Sequence, residues 1–446
     1  MDLHLEVRPG DGRRVALERA LRDAVREGRL APGARLPATR RLAEELGVSR
    51  GTVKAAYDQL VAEGYLTARQ GAGTVVAPMP AAEDRPPESQ ARACAPRFDL
   101  RPGTPDVGAF PAAAWVKAVR RAVASAPVSA YEYGDPLGRI ELRTALSEYL
   151  GRARGVVAPP ERIVVTSGAV QGLSLLTRVL EGGTVAMEDP GLPFHRDVVR
   201  HAGGRVVPVR VDELGVDVDG LGDPAAVVVT PAHQYPTGVT LHPSRRRALT
   251  DWARARRALV VEDDYDGEFR YDRQPVGALQ GMAPGRVVYL GTASKTLGPA
   301  LRLGWMVLPP HLVGPVADAK LHSDHSTETI GQLALAELIR GHVYDRHVRA
   351  CRLRYRRRRD RLVERLGARW RMRGIAAGLH ALVEVEDEAV VLARAADAGL
   401  ALGSLREHWH AEAPREGLVV GYGTPREGAY PKALEALVQV LELGHS

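Results

Sequence analysis

Lys295 is the residue in this 446-residue chain whose type and setting most invite chemistry. The stretch Val287 to Leu308, VVYLGTASKTLGPALRLGWMVL, runs from an apolar strand into a Thr292-Ala293-Ser294-Lys295 turn and on to a second apolar run. The chain carries 61 Lys+Arg, yet lysine stands only at positions 54, 117, 295, 320 and 432. Arginine keeps its proton in proteins, whereas lysine can lose it and condense with an aldehyde to a Schiff base. A lysine between a strand end and a Gly/Pro loop is therefore either a solvated loop cation or a nucleophile.

A Schiff-base cofactor such as pyridoxal phosphate (PLP) needs a carboxylate at its pyridine nitrogen, a donor at its phenolic oxygen and a phosphate cradle. Ala258 to Val261 reads as a buried strand entering Glu262-Asp263-Asp264-Tyr265-Asp266, where open α/β sheets bind ligands. Asp263 suits the nitrogen and Tyr265 the oxygen. The run from Ile163 through Ser167-Gly168-Ala169 passes from strand to amphipathic helix and offers N–H groups at a helix N-terminus to an anion. Thr292, Ser294 and Arg302 are further phosphate candidates. Each piece alone is common; the ordered set is specific.

The segments VVTSGAVQGL, MEDPG, TPAHQYPTG, VVEDDYDGEFRY and YLGTASKTLGPALRLGW resemble, in order, the fold-type I aminotransferases, and in particular the MocR/GabR family of PLP-dependent transcriptional regulators. The His233-Gln234-Tyr235-Pro236-Thr237-Gly238 form of the Pro-Thr-Gly motif is the regulators' version, and places Tyr235 among the cofactor candidates. The resemblance implies a mostly parallel sheet wrapped by helices, a small C-terminal α/β subdomain from about residue 367, and a homodimer with sites at the subunit interface. It further implies that Tyr133, in Tyr-Gly-Asp-Pro, reaches the cofactor phosphate of the partner subunit; the alternative is a turn tyrosine packing locally.

Upstream, Val15, Leu17, Leu21 and Val25 share a helix face. A short helix over Thr39 to Leu46, capped by Thr39, then the turn Gly47-Val48-Ser49 and a second helix over Arg50 to Glu63 capped by Ser49 form a helix-turn-helix pattern. Tyr65 to Val76 reads as a hairpin with a Gly71-Ala72-Gly73 tip. The second helix is expected to expose Arg50, Thr52, Lys54 and Tyr57 away from a Val53/Ala56/Leu60 core face, a display suited to base edges and phosphates. The stretch resembles the GntR-type winged helix. The candidate contacts to double-stranded operator DNA are Arg40, Ser49, Arg50, Thr52, Lys54, Tyr57, Arg69, Gly71 and Thr74. Domains are expected at 1–77, for DNA binding, and at 98–446, for the aminotransferase-like effector domain, joined by a Pro- and Ala-rich linker over 78–97.

Composition bounds the reading. A net charge of +7 permits a nucleic-acid partner, and no apolar run approaches membrane-spanning length. Cys94 and Cys351 make neither a metal nor a disulfide framework, and the N-terminal MDLHLEVRPGDGRR lacks the apolar core of a signal peptide, so a cytoplasmic protein without a metal site is expected. The basic run Arg352 to Arg359 reads as a solvated or salt-bridged helix face.

The α-carboxylate clamp of aminotransferases is usually a bidentate Arg in a late strand; the matching stretch here is Leu418-Val419-Val420-Gly421-Tyr422, with Val419 in the Arg position. The GABA-responsive regulators also carry Tyr and Arg just after Glu-x-Pro-Gly, where this chain has Leu192-Pro193-Phe194. Arg415 and Arg426 are possible substitutes only in a shifted register. The expectation is a regulator that senses PLP or an uncharged amine rather than turning substrate over, and that controls vitamin B6 or amine metabolism. The alternatives are a working aminotransferase with an attached DNA-binding domain, or a DNA-binding protein with an inert scaffold.

Overall fold

The computed structural model describes residues 12–69, 73–78, 96–271, 276–367, 369–410 and 413–443, which fall into two compact units divided near residue 94. In the first, α1 (Arg13–Arg26), α2 (Thr39–Leu46) and α3 (Arg50–Ala62) precede a hairpin of β1 (Leu66–Arg69) and β2 (Gly73–Val76). Leu17, Leu21 and Val25 of α1 pack on Leu42, Val53, Ala56 and Leu60, with Leu66 and Val76 closing the core. Gly47 ends α2 in the left-handed region (φ +63°), a conformation glycine adopts without penalty, and this turns the chain sharply into α3.

Three expectations for this unit are corrected. Val15 is exposed, because it lies off the 3.6-residue stripe that Leu17, Leu21 and Val25 define. Thr39 is the first helical residue of α2 and Ala38 occupies the cap position without a side-chain bond. Tyr57 points inward: it is buried beside Leu60, and its hydroxyl donates to the Pro37 carbonyl (3.0 Å). A phenol ring buries more area than any exposed position returns, provided its hydroxyl finds a partner.

The second unit opens with β3 (Phe98–Asp99), α4 (Ala112–Ser125) and α5 (Ile140–Arg154). The alternating segment follows: β4 (Ile163–Thr166), α6 (Ala169–Val179), β5 (Thr184–Asp189), α7 (Pro193–His201), β6 (Arg205–Asp212), β7 (Gly215–Val216), β8 (Ala226–Val229), α8 (Pro243–Arg256), β9 (Leu259–Asp263), β10 (Val287–Thr292) and β11 (Gly304–Val307). These eight strands form one sheet in the order β4-β11-β10-β9-β8-β5-β6-β7. The β6-β5-β8-β9-β10 pairings are parallel; β11 runs antiparallel to both its neighbours, and β7 to β6.

The near-continuous apolar runs mark strands buried on both faces. The two-residue side-chain period sends Val164, Val288, Leu290 and Met306 to a core shared with Leu173 and Leu176 of α6. Ile163, Val165, Tyr289, Trp305 and Val307 go to the opposite core with α5 residues Leu142 and Leu146. Val227, Val229, Val260 and Val287 pack with Leu249 and Ala253 of α8.

The chain continues through α9 (Pro310–Asp324), α10 (Thr329–Arg340) and the 24-residue α11 (Val343–Leu366). It ends in a smaller layer of β12 (Met372–Arg373), β13 (His380–Glu384), α12 (Glu388–Asp397), β14 (Leu400–Ala401), β15 (Gly403–Ser404), β16 (Gly417–Gly421) and α13 (Tyr430–Glu442). The β12-β13-β16-β15 sheet is antiparallel, while β14 pairs with β3, so residues from the start of the unit join its final layer. The basic run in α11 is a solvated face only in part. Arg358 is buried and bridges Asp106 (2.7 Å) and Glu427 (2.8 Å), tying α11 to both ends of this unit. No helix among the described residues is long and apolar enough to cross a membrane.

Candidate cofactor pocket and DNA-contact surface

The carboxyl ends of β4, β5, β9 and β10 converge with the β12–β13 connection on a pocket of about 310 Å³, at the low end of the range for small-molecule sites, about 300–1,000 Å³. Lys295 reaches it from the turn after β10. The Ser294 amide donates to Thr292 Oγ1 (3.1 Å) and the Thr292 hydroxyl to Ser294 Oγ (2.8 Å), which stiffens the turn that aims the lysine. Lys295 Nζ donates to the Gly103 carbonyl. Burial lowers the lysine pKa, with Asp263 and Asp266 opposing the shift, so its amine is easier to deprotonate than a solvated one.

Asp263 ends β9 inside the pocket wall. Burial raises its carboxyl to about 7, against the pull of Lys295. Its Oδ2 lies 3.5 Å from His195 Nδ1, and its Oδ1 is buried without a hydrogen-bond partner. Burial lowers His195 to about 4, leaving the ring neutral near pH 7. An acceptor oxygen with no donor is costly in a folded chain unless a ligand supplies one. The N–H of a protonated pyridine is such a donor.

Across the pocket, Gly168 precedes α6 at φ +125°. A Cβ there would lie 3.4 Å from the Arg302 guanidinium, and a Cβ on Gly304 would lie 2.7 Å from the Gly168 Cα. Glycine at both positions lets the backbone before α6 approach Arg302 closely. Together with Ala169 at the helix start, this leaves a cationic cradle at a helix N-terminus, suited to phosphate.

Two tyrosines close the remaining side. His233 Nδ1 faces Asp266 Oδ2 at 2.9 Å and so acts as donor, while the Tyr265 hydroxyl donates to the His233 carbonyl (3.1 Å). His408 Nδ1 meets the Ser404 carbonyl (2.7 Å), so its Nε2 accepts from the Tyr235 hydroxyl (3.0 Å). Glu188, raised to about 7 by burial, accepts from the Thr230 hydroxyl (2.6 Å) and from Gln234 (3.2 Å), and so holds the Tyr235 loop.

The structure thus gathers Lys295, Asp263, Tyr265, Gly168, Ala169, Thr292, Ser294, Arg302 and Tyr235 around one pocket. Tyr133 lies elsewhere on the chain, 89% exposed, its ring 4.9 Å from that of His325. The lining also includes residues not proposed for the site from the sequence, among them the titratable side chains of His195, Arg196, Glu188 and His380. His195 and Arg196 sit just past the Leu192-Pro193-Phe194 segment, and only the start of α7 at Pro193 turns them into the pocket. His380 is one of a buried group with His233 and Asp266 whose ligating atoms lie within 4.8 Å of one another; the His233–Asp266 bond makes it a brace behind Tyr265. The expected poverty of the amino-acid side is corrected in one respect. Val419 does face an apolar cluster with Leu382 and Leu405, and neither Arg415 nor Arg426 lines the pocket, but Arg196 does.

In the first unit, Ser49 caps α3 by accepting from the Thr52 amide (3.0 Å), and its hydroxyl meets Thr52 Oγ1 (2.8 Å). Arg50 and Lys54 are exposed along α3, and Arg40 along α2. Lys54 pairs with Asp58 (2.7 Å) and Arg40 with Glu44 (3.2 Å), both solvated i,i+4 pairs that a phosphate can displace. Thr74 is half-buried in β2, and Arg69 belongs to β1. Gly71 and the linker expected over 78–97, except its ends at residue 78 and residues 96–97, lie outside the described residues.

A lysine with a lowered pKa, an unpartnered carboxylate oxygen and a glycine–arginine cradle at a helix start stand together on this sheet, the arrangement expected of a fold-type I PLP pocket, in a chain that also carries a winged helix-turn-helix. The model for aminotransferase class I and II matches residues 98–411, and that for bacterial regulatory proteins of the gntR family matches residues 13–76. The chain belongs to the HTH-type transcriptional regulators of the MocR/PdxR type. It is 34% identical over 437 residues to the pyridoxine biosynthesis transcriptional regulator PdxR of Corynebacterium glutamicum, covering 96% of each chain. It is 34% identical over 450 residues to the probable rhizopine catabolism regulatory protein MocR of Rhizobium meliloti, covering 92% of this chain and 90% of that one. Among solved structures, kynurenine aminotransferase of Pyrococcus horikoshii superposes with a TM-score of 0.70 at 26% identity, over 78% of this chain and 91% of the other. The protein is a DNA-binding transcriptional regulator with a PLP-binding, aminotransferase-like domain.

Proposed function

We propose that PLP held at Lys295 is the sensing element of this regulator, and that a primary amine entering the same pocket alters operator affinity. The observation that carries the reading is the pairing of Lys295, its pKa lowered, with the unpartnered Oδ1 of Asp263 in one pocket. When bound, PLP supplies an aldehyde carbon that can pass between the lysine amine and another primary amine. Asp263 keeps the ring nitrogen protonated, with His195 steadying the carboxylate from its other oxygen. Arg302 and the amides at Gly168 and Ala169 hold the phosphate, with Thr292 and Ser294 beside them. The Tyr265 hydroxyl turns from the His233 carbonyl to the phenolic oxygen, and Tyr235 walls the amine side.

The working unit is a homodimer in which Tyr133 reaches the phosphate of the second subunit, and two winged helices suit a two-half-site operator in the cytoplasm. Arg40, Arg50, Thr52, Lys54 and Arg69 make the operator contacts, with Ser49, Gly71 and Thr74 beside them. Tyr57 supports α3 from within.

A second reading, in which PLP itself is the sensed ligand and vitamin B6 supply the regulated output, draws on the similarity to the regulator named for pyridoxine biosynthesis. Operator-binding isotherms for cofactor-free protein, PLP-loaded protein and PLP-loaded protein with added amines separate the two. A change on loading alone supports direct PLP sensing; a change that requires the amine supports the first reading. Sustained multiple turnover with amino donors would instead make the domain a working aminotransferase.

A further inference from the structure

Arg196 has no structural partner that accounts for its burial. It lies on α7, within the first turn after Pro193, and is 6% exposed. Its Nη1 is buried without a hydrogen-bond partner, and its Nη2 makes one long bond, 3.4 Å, to the Glu407 carbonyl. Among the described residues no carboxylate lies within ion-pair distance of it; Asp189 and Asp197 act on it only from farther off, and Arg200 opposes them. The two more deeply buried arginines that pair with acids show the contrast. Arg154 holds Asp264 through two bonds of 2.7 and 2.9 Å, and Arg358 holds Asp106 and Glu427.

A guanidinium removed from water without a counter-charge is expensive, and a chain keeps one where a ligand supplies the anion. Arg196 lines the same pocket as Lys295, so a single small molecule can meet both. We propose that Arg196 is the anion receptor of the effector pocket, so that the effector is a primary amine bearing a carboxylate or sulfonate. This rests on the amine-sensing reading above. The cation comes from α7, while the late-strand position at Val419 is packed among Leu382 and Leu405 and does not line the pocket. The planar fork of Arg196 fits either acid through paired N–H donors, and the Glu407 carbonyl is a weak bond to surrender.

The test uses full-length PLP-loaded protein and the visible band of the lysine-bound cofactor, titrated with matched pairs: glycine against methylamine, and β-alanine and taurine against ethylamine. With concentrations expressed as free-base amine, so that the different basicities of the pairs cancel, in the wild type at least one acid should shift the band at a concentration about 10-fold or more below that of its plain amine. In Arg196→Gln that ratio should collapse to about one, and Arg196→Lys should keep part of it. Each protein is its own reference, so a change in cofactor loading does not mimic the result.

A wild-type ratio near one for every pair, or an unchanged ratio in Arg196→Gln, overturns the proposal. If the glutamine variant does not fold, acetate and methanesulfonate decide in the wild type: they should raise the ethylamine midpoint several-fold where acetamide does not, and no competition overturns the proposal. Failure of the underlying reading looks different. In that case the wild type lacks the band, or the band shifts with no effect on operator binding.

Discussion

Asp263 lines the pocket with its Oδ2 3.5 Å from Nδ1 of His195 and its Oδ1 buried without a hydrogen-bond partner. Asp263→Asn removes the charge while keeping the shape, and should weaken PLP retention about 10- to 100-fold, the worth of a hydrogen bond to a charged group. Equilibrium dialysis followed by absorbance measures it.

The same carboxyl gives a pH dependence to the cofactor-free protein. Its folded pKa, about 7, lies above the ordinary carboxylate value of 3.8. Between those values the folded state keeps a proton that the unfolded state has lost, so this contribution to stability is full at low pH and is lost as pH rises through 7. Urea unfolding at pH 5 and pH 8 should show Asp263→Asn gaining on the wild type at the higher pH by on the order of 2–4 kcal/mol. His195 works in the opposite sense, since its pKa is lowered to about 4, and the comparison at matched pH cancels it.

Gly168→Ala should damage the cradle. At φ +125° a side chain is strained, and its Cβ would occupy the space beside the guanidinium of Arg302, 3.4 Å away. A stability loss of about 1–3 kcal/mol is expected. It should be accompanied by a larger loss of affinity for PLP than for pyridoxal, which lacks the phosphate.

In the DNA-binding unit, Arg50→Ala should lower the slope of log affinity against log salt by about one, as expected for a lost phosphate contact. Tyr57→Phe should leave that slope unchanged and cost about 1 kcal/mol of stability, because the hydroxyl bonds to the half-buried Pro37 carbonyl and not to DNA. Fluorescence anisotropy over a salt series, with thermal melts, distinguishes the two.

Ser49→Ala removes the α3 cap and should cost about 1 kcal/mol. Operator affinity should fall with it, since α3 presents Arg50 and Lys54 from its first turns; melting curves and anisotropy measure the two effects.

Much of this was legible in the order of residues. Continuous apolar runs marked the strands and the 3.6-residue period the helices to within a few positions, because burial of both faces or of one leaves a direct imprint on composition. Lys295, Asp263, Tyr265, Gly168 and Arg302 could be expected to meet because each lies beside a strand end, and the sheet, with β9 and β10 parallel and β11 antiparallel between β10 and β4, brings those ends to one pocket. Tyr57 could not be placed, since an amphipathic ring suits either side of a helix and only the Pro37 carbonyl decides which. Nor could Arg358, hidden in a run of arginines that otherwise face water. Arg196 was missed for a related reason. Linear sequence carries the identity of a charge but not its partners, and whether a guanidinium is paired, solvated or waiting for a ligand is settled only when β5, α7 and the segment around Glu407 pack together.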